Sequence, residues 1–232
     1  MTQVLVQFHN LAEGMASAYD RHLQDLARVL APGLVGLQRY ALSAAQFPGS
    51  ASLTQPYRGM TLFEIDDAVL LSSQASLAER VRAARASGLL AEDRTHLFNL
   101  LRNRVLSASP APPDDPEHLM IVMANYTTGM RDAWGAWYDD VHGPEWLDLP
   151  GVDAYSRGVL ADAQIDSEGQ QPAGGLVIYG LKTANFDATL AEALARATGR
   201  SSTGVRWSNR SPAVLNSTTY GFDPVGARYA SE

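Results

Sequence analysis

The feature that most constrains this chain is an internal repeat. Residues 32–46, PGLVGLQRYALSAAQ, align without a gap on residues 150–164, PGVDAYSRGVLADAQ, and six of the fifteen positions are identical. Average residue usage would give roughly one match. Further matches lie in the same order in both halves, with Gly14 over Gly129 upstream and residues 77–79 over residues 190–192 downstream. We therefore interpret the chain as two copies of one folding unit.

A proline-rich segment separates the two copies. Residues 107–117, SASPAPPDDPE, contain four prolines, a composition typical of an extended linker. The sequence thus predicts an N-terminal unit over residues 1–107, a linker over residues 108–117 and a C-terminal unit over residues 118–232. Each unit has the length of a small domain.

Hydrophobic periodicity predicts the same six elements in each copy, in the order βαββαβ. A Pro-Gly pair ends the first helical region of each copy, at Pro32 and at Pro150. The elements predicted for the first copy are strand 4–9, helix 12–30, strands 34–44 and 61–65, helix 77–87 and strand 97–107. Those predicted for the second copy are strand 119–125, helix 130–147, strands 152–160 and 176–181, helix 186–198 and strand 214–222.

A four-stranded antiparallel sheet with both helices on one face leaves its other face apolar and uncovered. Two such sheets in one chain can bury those faces against each other. The sequence therefore predicts an α+β fold in which two ferredoxin-like βαββαβ repeats pack their antiparallel sheets face to face, as an α/β barrel within one chain.

Composition limits the kinds of partner that this chain can bind. Acidic residues outnumber basic ones by 25 to 18, the formal net charge is −7, and Lys182 is the only lysine. Nucleic acids and anionic membranes both need a concentrated positive surface, so neither is expected as a partner. The chain contains no cysteine, which excludes disulfides, thiolate metal sites and a cysteine nucleophile.

Signals for export and for common cofactors are also missing. The first residues lack the basic and long apolar regions of a signal sequence, and no apolar run could span a bilayer, so we expect a cytoplasmic protein. The sequence has no Walker loop, no HExxH and no GxSxG motif, and no GxGxxG motif that opens a helix. Nothing in the spacing of its histidines, at positions 9, 22, 96, 118 and 142, prompts a metal site.

One stretch of the second copy makes a family resemblance specific. Residues 136–152, AWYDDVHGPEWLDLPGV, contain Trp137-Tyr138, His142 and a final Pro-Gly-Val. This pattern resembles the Trp-Tyr-x-x-x-His and Pro-Gly-Val/Phe motif of the dimeric α/β-barrel superfamily, and it is closest to the EthD-like members. The first copy departs from the motif, because Tyr19 precedes His22 by three residues rather than four and no tryptophan accompanies it. The motif covers the second copy alone, whereas the fold resemblance covers nearly the whole chain.

The resemblance implies a range of activities. The superfamily includes cofactor-independent oxygenases that act on polyphenols, polyketide cyclases, lactone isomerases, dehydratases, haem enzymes and members without known activity. A shared fold does not select among these functions. We expect a protein without a cofactor, with haem as the less favoured alternative.

His142 is the foremost catalytic candidate. It follows Tyr138 by four residues, which places both on one face of the predicted helix, and an imidazole can exchange protons near neutral pH. A histidine at a helix C-terminus can equally be a cap that the helix dipole favours. Glu145 follows His142 by three residues, and Asp25 follows His22 at the same spacing. Such a carboxylate could orient the imidazole, although acidic residues are also common on solvated surfaces.

Other candidates belong to the neighbouring strands and to the same helix. Asn125 ends a strand next to a helix start, where it could stabilise a developing negative charge or simply form a turn. Arg157 lies at the same repeat position as Arg39 and could bind a carboxylate or phenolate, or form an ion pair at the repeat interface. A tryptophan stripe at helical spacing suits a hydrophobic core as well as a ligand pocket. The candidates for substrate binding are Trp134, Trp137, Trp146, Tyr126, His22 and Tyr19.

These residues support three functional hypotheses. The first is a cofactor-independent isomerase, dehydratase, cyclase or other lyase that moves protons on a small, largely apolar, oxygenated or aromatic molecule. His142 would be its general acid and base, Tyr138 a hydrogen-bonding partner, and Asn125 and Arg157 would stabilise negative charge. The second is a cofactor-free monooxygenase that acts on a phenolic substrate. The third is a non-catalytic module that binds a small molecule or takes part in a stress response. In each case the chain could also form a homodimer.

Overall fold

The computed structural model describes residues 2–47, 56–108, 117–165 and 173–229, with the backbone alone for helix residues 67–73. The first half contains strand β1 (Thr2–Leu11), helix α1 (Ala16–Leu30), strands β2 (Leu34–Leu42) and β3 (Gly59–Asp66), helix α2 (Asp67–Ala86) and strand β4 (Leu90–Leu106). The second half contains strand β5 (Glu117–Tyr126), helix α3 (Arg131–Trp137), a π-helical turn (Tyr138–His142), helix α4 (Gly143–Leu147), strands β6 (Val152–Leu160) and β7 (Gly175–Lys182), helix α5 (Phe186–Thr198) and strand β8 (Val214–Tyr229).

The eight described strands form one antiparallel sheet that closes into a barrel. Their order around the barrel is β1-β3-β2-β8-β5-β7-β6-β4, and every neighbouring pair is antiparallel. The first half contributes β4-β1-β3-β2 and the second half β8-β5-β7-β6, so corresponding strands occupy corresponding places. This confirms a fold of helices and one antiparallel sheet, as predicted.

The two halves are also joined by hydrogen bonds at both borders, which the prediction of two sheets packed face to face did not include. The first part of β4 pairs with β1, and its last part pairs with β6 of the other half. In the same way, β8 pairs first with β5 and then with β2. Strand β8 is longer than predicted because its extension, residues 223–229, finds backbone partners in β2 across the border, whereas the extension of β4, residues 90–96, pairs with β1 of its own half. The β8 extension includes Pro224 and Gly226 and is largely exposed, so no apolar alternation marks it in the sequence.

Side-chain alternation along β5 shows how the sheet divides the core into layers. Leu119, Ile121 and Met123 face the barrel interior, where they join a cluster of buried side chains from both halves. Met120 and Val122 face outward and pack under the helices of the second half. The interior of the barrel is thus filled by side chains, as expected for eight strands, and any sizeable cavity near β5 must lie on its helix-facing side.

Two predictions about organisation concern other parts of the chain. Residues 109–116 of the predicted linker lie outside the described residues, so the domain boundaries stay a prediction. Within the described part of the chain, every helix is too short or too polar to cross a membrane.

Candidate active site

A cavity of about 300 Å³ lies on the helix-facing side of β5 and β8, beneath the π-helical turn and α4. A segment between α5 and β8, residues 199–213, borders it, and Phe47 reaches it from the first half. The cavity therefore uses side chains from both halves of the chain. It is lined by Phe47, Met120, Val122, Trp137, Tyr138, His142, Trp146, Ala197, Trp207, Ser208, Asn209, Arg210, Val214, Ser217 and Thr219.

The π-helical turn determines which side chains reach the cavity. The amide of Gly143 donates to the carbonyl of Tyr138, five residues earlier, rather than to the residue four back. Because a π-helical turn contains more than four residues, Tyr138 and His142 point in similar directions. Gly143 is required there, since an added Cβ would lie 2.6 Å from the Tyr138 carbonyl oxygen and 2.7 Å from the Tyr155 ring. Such π-helical turns are frequent at functional sites.

Two hydrogen bonds determine the protonation of the His142 ring. The indole Nε1 of Trp146 lies 3.1 Å from His142 Nε2, and an indole nitrogen can only donate. Nε2 therefore accepts and carries no proton, so Nδ1 carries it and donates to Glu145 Oε2 across 3.1 Å. The ring also stacks on Trp137, with centroids 4.4 Å apart and an angle of 13°. His142 is thus a neutral imidazole whose basic nitrogen belongs to the cavity wall.

Glu145 is held as an anion beside this ring. Burial opposes its ionisation, but hydrogen bonds from His142 and from the backbone amide of Ser208 outweigh burial and keep the pKa of this carboxyl below its ordinary value. A carboxylate on Nδ1–H orients the imidazole and stabilises the imidazolium that forms if Nε2 takes up a proton. The spacing of three residues between His142 and Glu145 therefore places the carboxylate where it can support proton uptake at Nε2.

Aromatic rings form part of the remaining wall and of the core directly behind it, and some of their polar atoms lack partners in the described part of the chain. Trp146 lies between Trp207, at 5.0 Å, and Tyr179, at 4.7 Å between centroids. Trp207 Nε1 and the Tyr179 hydroxyl are buried without a hydrogen-bond partner in the described part of the chain. Tyr138 is buried as well, and burial raises its pKa although the nearby charge of Arg210 opposes the shift. Its phenol therefore stays protonated near neutral pH and can donate a hydrogen bond.

The structure brings four of the predicted site residues to the cavity: His142, Tyr138, Trp137 and Trp146. Trp134 and Tyr126 are not among its lining residues. Trp134 is fully buried in the core beneath the cavity wall, with its ring 5.1 Å from Tyr138 and 5.7 Å from Tyr126. The tryptophan stripe thus divides between core and cavity, and the division already begins within α3, between Trp134 and Trp137.

Arg157 is not in the cavity, contrary to its predicted role there. Its Nε and Nη2 donate to the two carboxylate oxygens of Asp139 at 2.8 and 2.7 Å, and its guanidinium lies 5.3 Å from the Trp134 ring centroid. Burial opposes ionisation of Asp139, yet the hydrogen bond and charge of Arg157 keep the pKa of Asp139 below its ordinary value. At the same repeat position, Arg39 pairs with Asp20 of α1 at 3.2 Å. Each strand arginine therefore pairs with a helix of its own half and not across a repeat interface.

Asn125 has a structural role at the end of β5. Its side-chain oxygen accepts from the amide of Gly174 at 3.0 Å, and its nitrogen donates to Asn216 at 3.0 Å. Both bonds connect strand ends, and Asn125 does not line the cavity. The prediction that it stabilises charge beside His142 is therefore not supported by its position.

The aligned region of the first half is arranged differently. Tyr19 is fully buried, and its hydroxyl donates to Gln7 at 3.0 Å and hydrogen-bonds Thr61 at 2.9 Å. His22 stacks on Tyr19 at 6.0 Å. Asp25 forms an ion pair with Arg28 at 2.7 Å rather than orienting His22. The first copy thus does not repeat the arrangement of His142 and Glu145.

Sequence reasoning missed the contribution of Phe47 and of residues 199–213. Helix α5 ends at Thr198 and is capped by Gly199, which has a left-handed backbone with φ of 69°, and the chain then crosses the cavity in irregular structure. Irregular segments carry no periodicity that would place them over a site. The only signal was Trp207, a large apolar residue in an otherwise polar segment.

Haem, the less favoured cofactor, does not fit these residues. His142 is the one histidine that lines the described cavity, and both of its ring nitrogens are hydrogen-bonded. An iron atom could bind Nε2 only if Trp146 gave up that nitrogen. Among the described residues, no group of three or more His, Asp or Glu side chains is placed to hold a metal ion.

Comparison with known proteins found likeness in structure alone. No protein-family model matches the sequence, and no curated protein matches it. An anthrone oxidase-like protein superposes with a TM-score of 0.61 at 10% identity, covering 99% of this chain and 93% of that chain. A putative monooxygenase from Lactobacillus acidophilus gives 0.57 at 9% identity, with 96% and 93% covered. Chlorite dismutase from Candidatus Nitrospira defluvii gives 0.53 at 8% identity, with 96% and 91% covered. These similarities show a shared ferredoxin-like fold.

Proposed function

We propose that this protein is a cofactor-independent oxygenase that deprotonates a phenolic or similarly acidic aromatic substrate and lets the resulting anion react with dioxygen. The observation that carries the proposal is the state of His142, a neutral imidazole with its proton on the Glu145 side and its basic Nε2 on the cavity side. No other group that lines the described cavity combines an unprotonated ring nitrogen with a neighbouring carboxylate.

The first step is a proton transfer to His142. A substrate O–H or acidic C–H would replace the Trp146 indole as the donor to Nε2, and the proton would move to that nitrogen. Glu145 then stabilises the imidazolium on its other side. Positioned acids and bases of this kind contribute roughly 10²- to 10⁴-fold to a rate. Tyr138 is a neutral donor that can hydrogen-bond the substrate oxygen as it becomes negative.

The second step needs dioxygen as the co-reactant. For a substrate with an acidic CH₂ group, as in an anthrone, the carbanion transfers electrons to O₂ and a C–O bond forms, giving a peroxide anion. His142 returns the proton, which produces a hydroperoxide. Loss of water from the hydroperoxide leaves a ketone, so that R₂CH₂ and O₂ become R₂C=O and H₂O. The substrate supplies the electrons, and no additional reductant is needed.

The names of the structural neighbours support oxygen chemistry, since one is anthrone oxidase-like and another is a putative monooxygenase. The same base also supports a second candidate, an isomerase, dehydratase, cyclase or other lyase that transfers protons without oxygen. His142 and Glu145 favour both functions equally, and the requirement for dioxygen distinguishes them. We also propose that the chain arose by tandem duplication of an EthD-like module. Its ligand is a small molecule, and two copies of the whole chain can form a homodimer.

The test uses an anthrone as the probe, with oxygen uptake and quinone absorbance measured together. We expect the wild-type protein to accelerate both in air and neither under nitrogen. His142→Ala should lose about a hundredfold or more of the rate. His22→Ala is the matched control, because His22 aligns with His142 but lines no part of this cavity, and it should retain the rate.

Two results would change the conclusion. Substrate conversion that continues under nitrogen would replace the oxygenase with a proton-transfer enzyme. Full oxygen-dependent turnover by a folded His142→Ala variant would remove the histidine from the mechanism.

A further inference from the structure

The segment that borders the cavity has a charge opposite to that of the chain as a whole. The formal net charge of the protein is −7, yet residues 193–222 contain no Asp or Glu and include four arginines. One of them, Arg196, is buried and committed to Glu192 and Asp148. The other three, Arg200, Arg206 and Arg210, are exposed. This segment therefore brings positive charge to the edge of the cavity, where the Glu145 carboxylate also bonds the backbone amide of Ser208.

Arg210 is the cation that reaches the cavity itself. It is the only Lys, Arg, Asp or Glu among the described lining residues. Its charge is close enough to oppose the effect of burial on the Tyr138 phenol, so it lies on the same side as the catalytic histidine. No described residue forms an ion pair or a hydrogen bond with its guanidinium. This leaves its donors available to a ligand.

The wall next to Arg210 contains a second donor without a partner. Trp207 is 6% exposed, lines the cavity, and its Nε1 is buried with no hydrogen-bond partner in the described ranges. A buried donor left unpaired costs stability, and a ligand oxygen that came within reach of Nε1 would satisfy it. The flat faces of Trp137 and Trp146 complete a site that favours a planar ring.

We infer that the ligand of this cavity is an aromatic acid, a planar ring system that carries one negative group, either a carboxylate or an ionised phenol, placed at Arg210. Guanidinium groups bind planar oxyanions through paired hydrogen bonds, and a positive entrance on an acidic surface directs anions to it. The inference deepens the proposed function, because it specifies the substrate class of the same cavity, but it concerns binding and does not depend on the oxygen chemistry.

The test compares two ligands that share the naphthalene ring, the anion 2-naphthoate and the neutral 2-naphthalenemethanol, by quenching of tryptophan fluorescence at pH 7. We expect the wild-type protein to bind naphthoate about ten- to a hundredfold more tightly than the alcohol, the range for a hydrogen bond to a charged group. Arg210→Gln should remove this preference and leave binding of the alcohol unchanged. Arg200→Gln, an exposed arginine of the same segment outside the cavity wall, is the control and should retain the preference.

A third ligand separates the two kinds of anion. A nitronaphthol that is ionised at pH 8 should show the same dependence on Arg210 if the site accepts phenolates, and it should bind no better than the alcohol if the site requires a carboxylate. Equal wild-type affinity for all three ligands, or an unchanged preference in a folded Arg210→Gln variant, would overturn the inference.

The outcome is independent of turnover. Charge-selective binding through Arg210 together with no oxygen uptake from any anthrone would contradict the proposed function and leave this inference standing. Oxygen-dependent turnover without charge-selective binding would support the proposed function and contradict this inference.

Discussion

The indole nitrogen of Trp146 donates to Nε2 of His142 across 3.1 Å, so the one imidazole nitrogen that can accept a proton among the described lining residues is already hydrogen-bonded. The partner on the opposite ring nitrogen is Glu145, which keeps the proton on Nδ1. A ligand that donates a proton must therefore displace an indole donor before the histidine can act. Trp146 is thus a positioning residue, since it determines the tautomer of His142.

Replacing Trp146 by Phe should release this constraint. The aromatic packing against Tyr179 is largely kept, whereas the donor to Nε2 is lost. We expect ¹⁵N chemical shifts of His142 to show the Nδ1–H tautomer alone in the wild-type protein and a mixture of forms in Trp146→Phe. Trp207→Phe, which removes an indole that does not bond the histidine, is the control. A wild-type ring protonated on Nε2 would contradict the hydrogen-bond assignment.

Removing one partner of the buried ion pair under α3 should affect stability and not chemistry. Asp139→Asn leaves the buried guanidinium of Arg157 without its anion, which costs about 3 kcal/mol. Denaturant unfolding should show this loss, while affinity for 2-naphthoate stays within about twofold of wild type because neither residue lines the cavity. A loss of ligand affinity in a variant that remains folded would show that Arg157 contributes to ligand binding.

The buried His9 of the first half should make the folded protein less stable at mildly acidic pH. His9 is buried, and burial, helped by the charge of Arg39, lowers its pKa from 6.5 to about 4. Its Nδ1 has no partner in the described part of the chain, while Nε2 bonds Thr61 at 3.2 Å. His9 therefore becomes protonated below about pH 6.5 in the unfolded chain but only below about pH 4 in the folded chain. The stability that depends on neutral His9 is present above pH 6.5 and is lost as pH falls through this window, by up to about 1.4 kcal/mol per pH unit.

Urea unfolding between pH 7 and pH 4 measures this effect. The wild-type free energy of unfolding should fall more steeply than that of His9→Gln, which cannot take up a proton. Parallel curves for the two proteins would show that His9 titrates alike in the folded and unfolded chains.

The sequence predicted the fold well because its hydrophobic pattern and its repeat both indicate the same order of strands and helices in the two halves. The ends of β6 and α5 were predicted to the residue, as both elements are bounded by clear turn or cap residues. The repeat also indicated corresponding strands, although not the hydrogen-bonded borders. Those borders depend on pairing between β4 and β6 and between β8 and β2, and backbone pairing over long sequence separations leaves no local pattern.

The candidate site was predicted only in part, for a different physical reason. His142, Tyr138, Trp137 and Trp146 belong to one helical segment, so spacing places them together. Arg157 and Asn125 were assigned from strand position, which does not show that Asp139 and Gly174 already occupy their polar groups. Arg210 and Trp207 belong to an irregular segment whose course no periodicity reveals.

The most direct test of the central claim is the absorption spectrum of a nitronaphthol bound in the cavity, recorded below the pH at which the free phenol ionises. If His142 Nε2 takes up the phenol proton, the bound ligand should show the phenolate spectrum in the wild-type protein and the phenol spectrum in His142→Ala at equal saturation. A bound ligand that stays neutral in the wild-type protein, or that ionises equally in both proteins, would contradict the account.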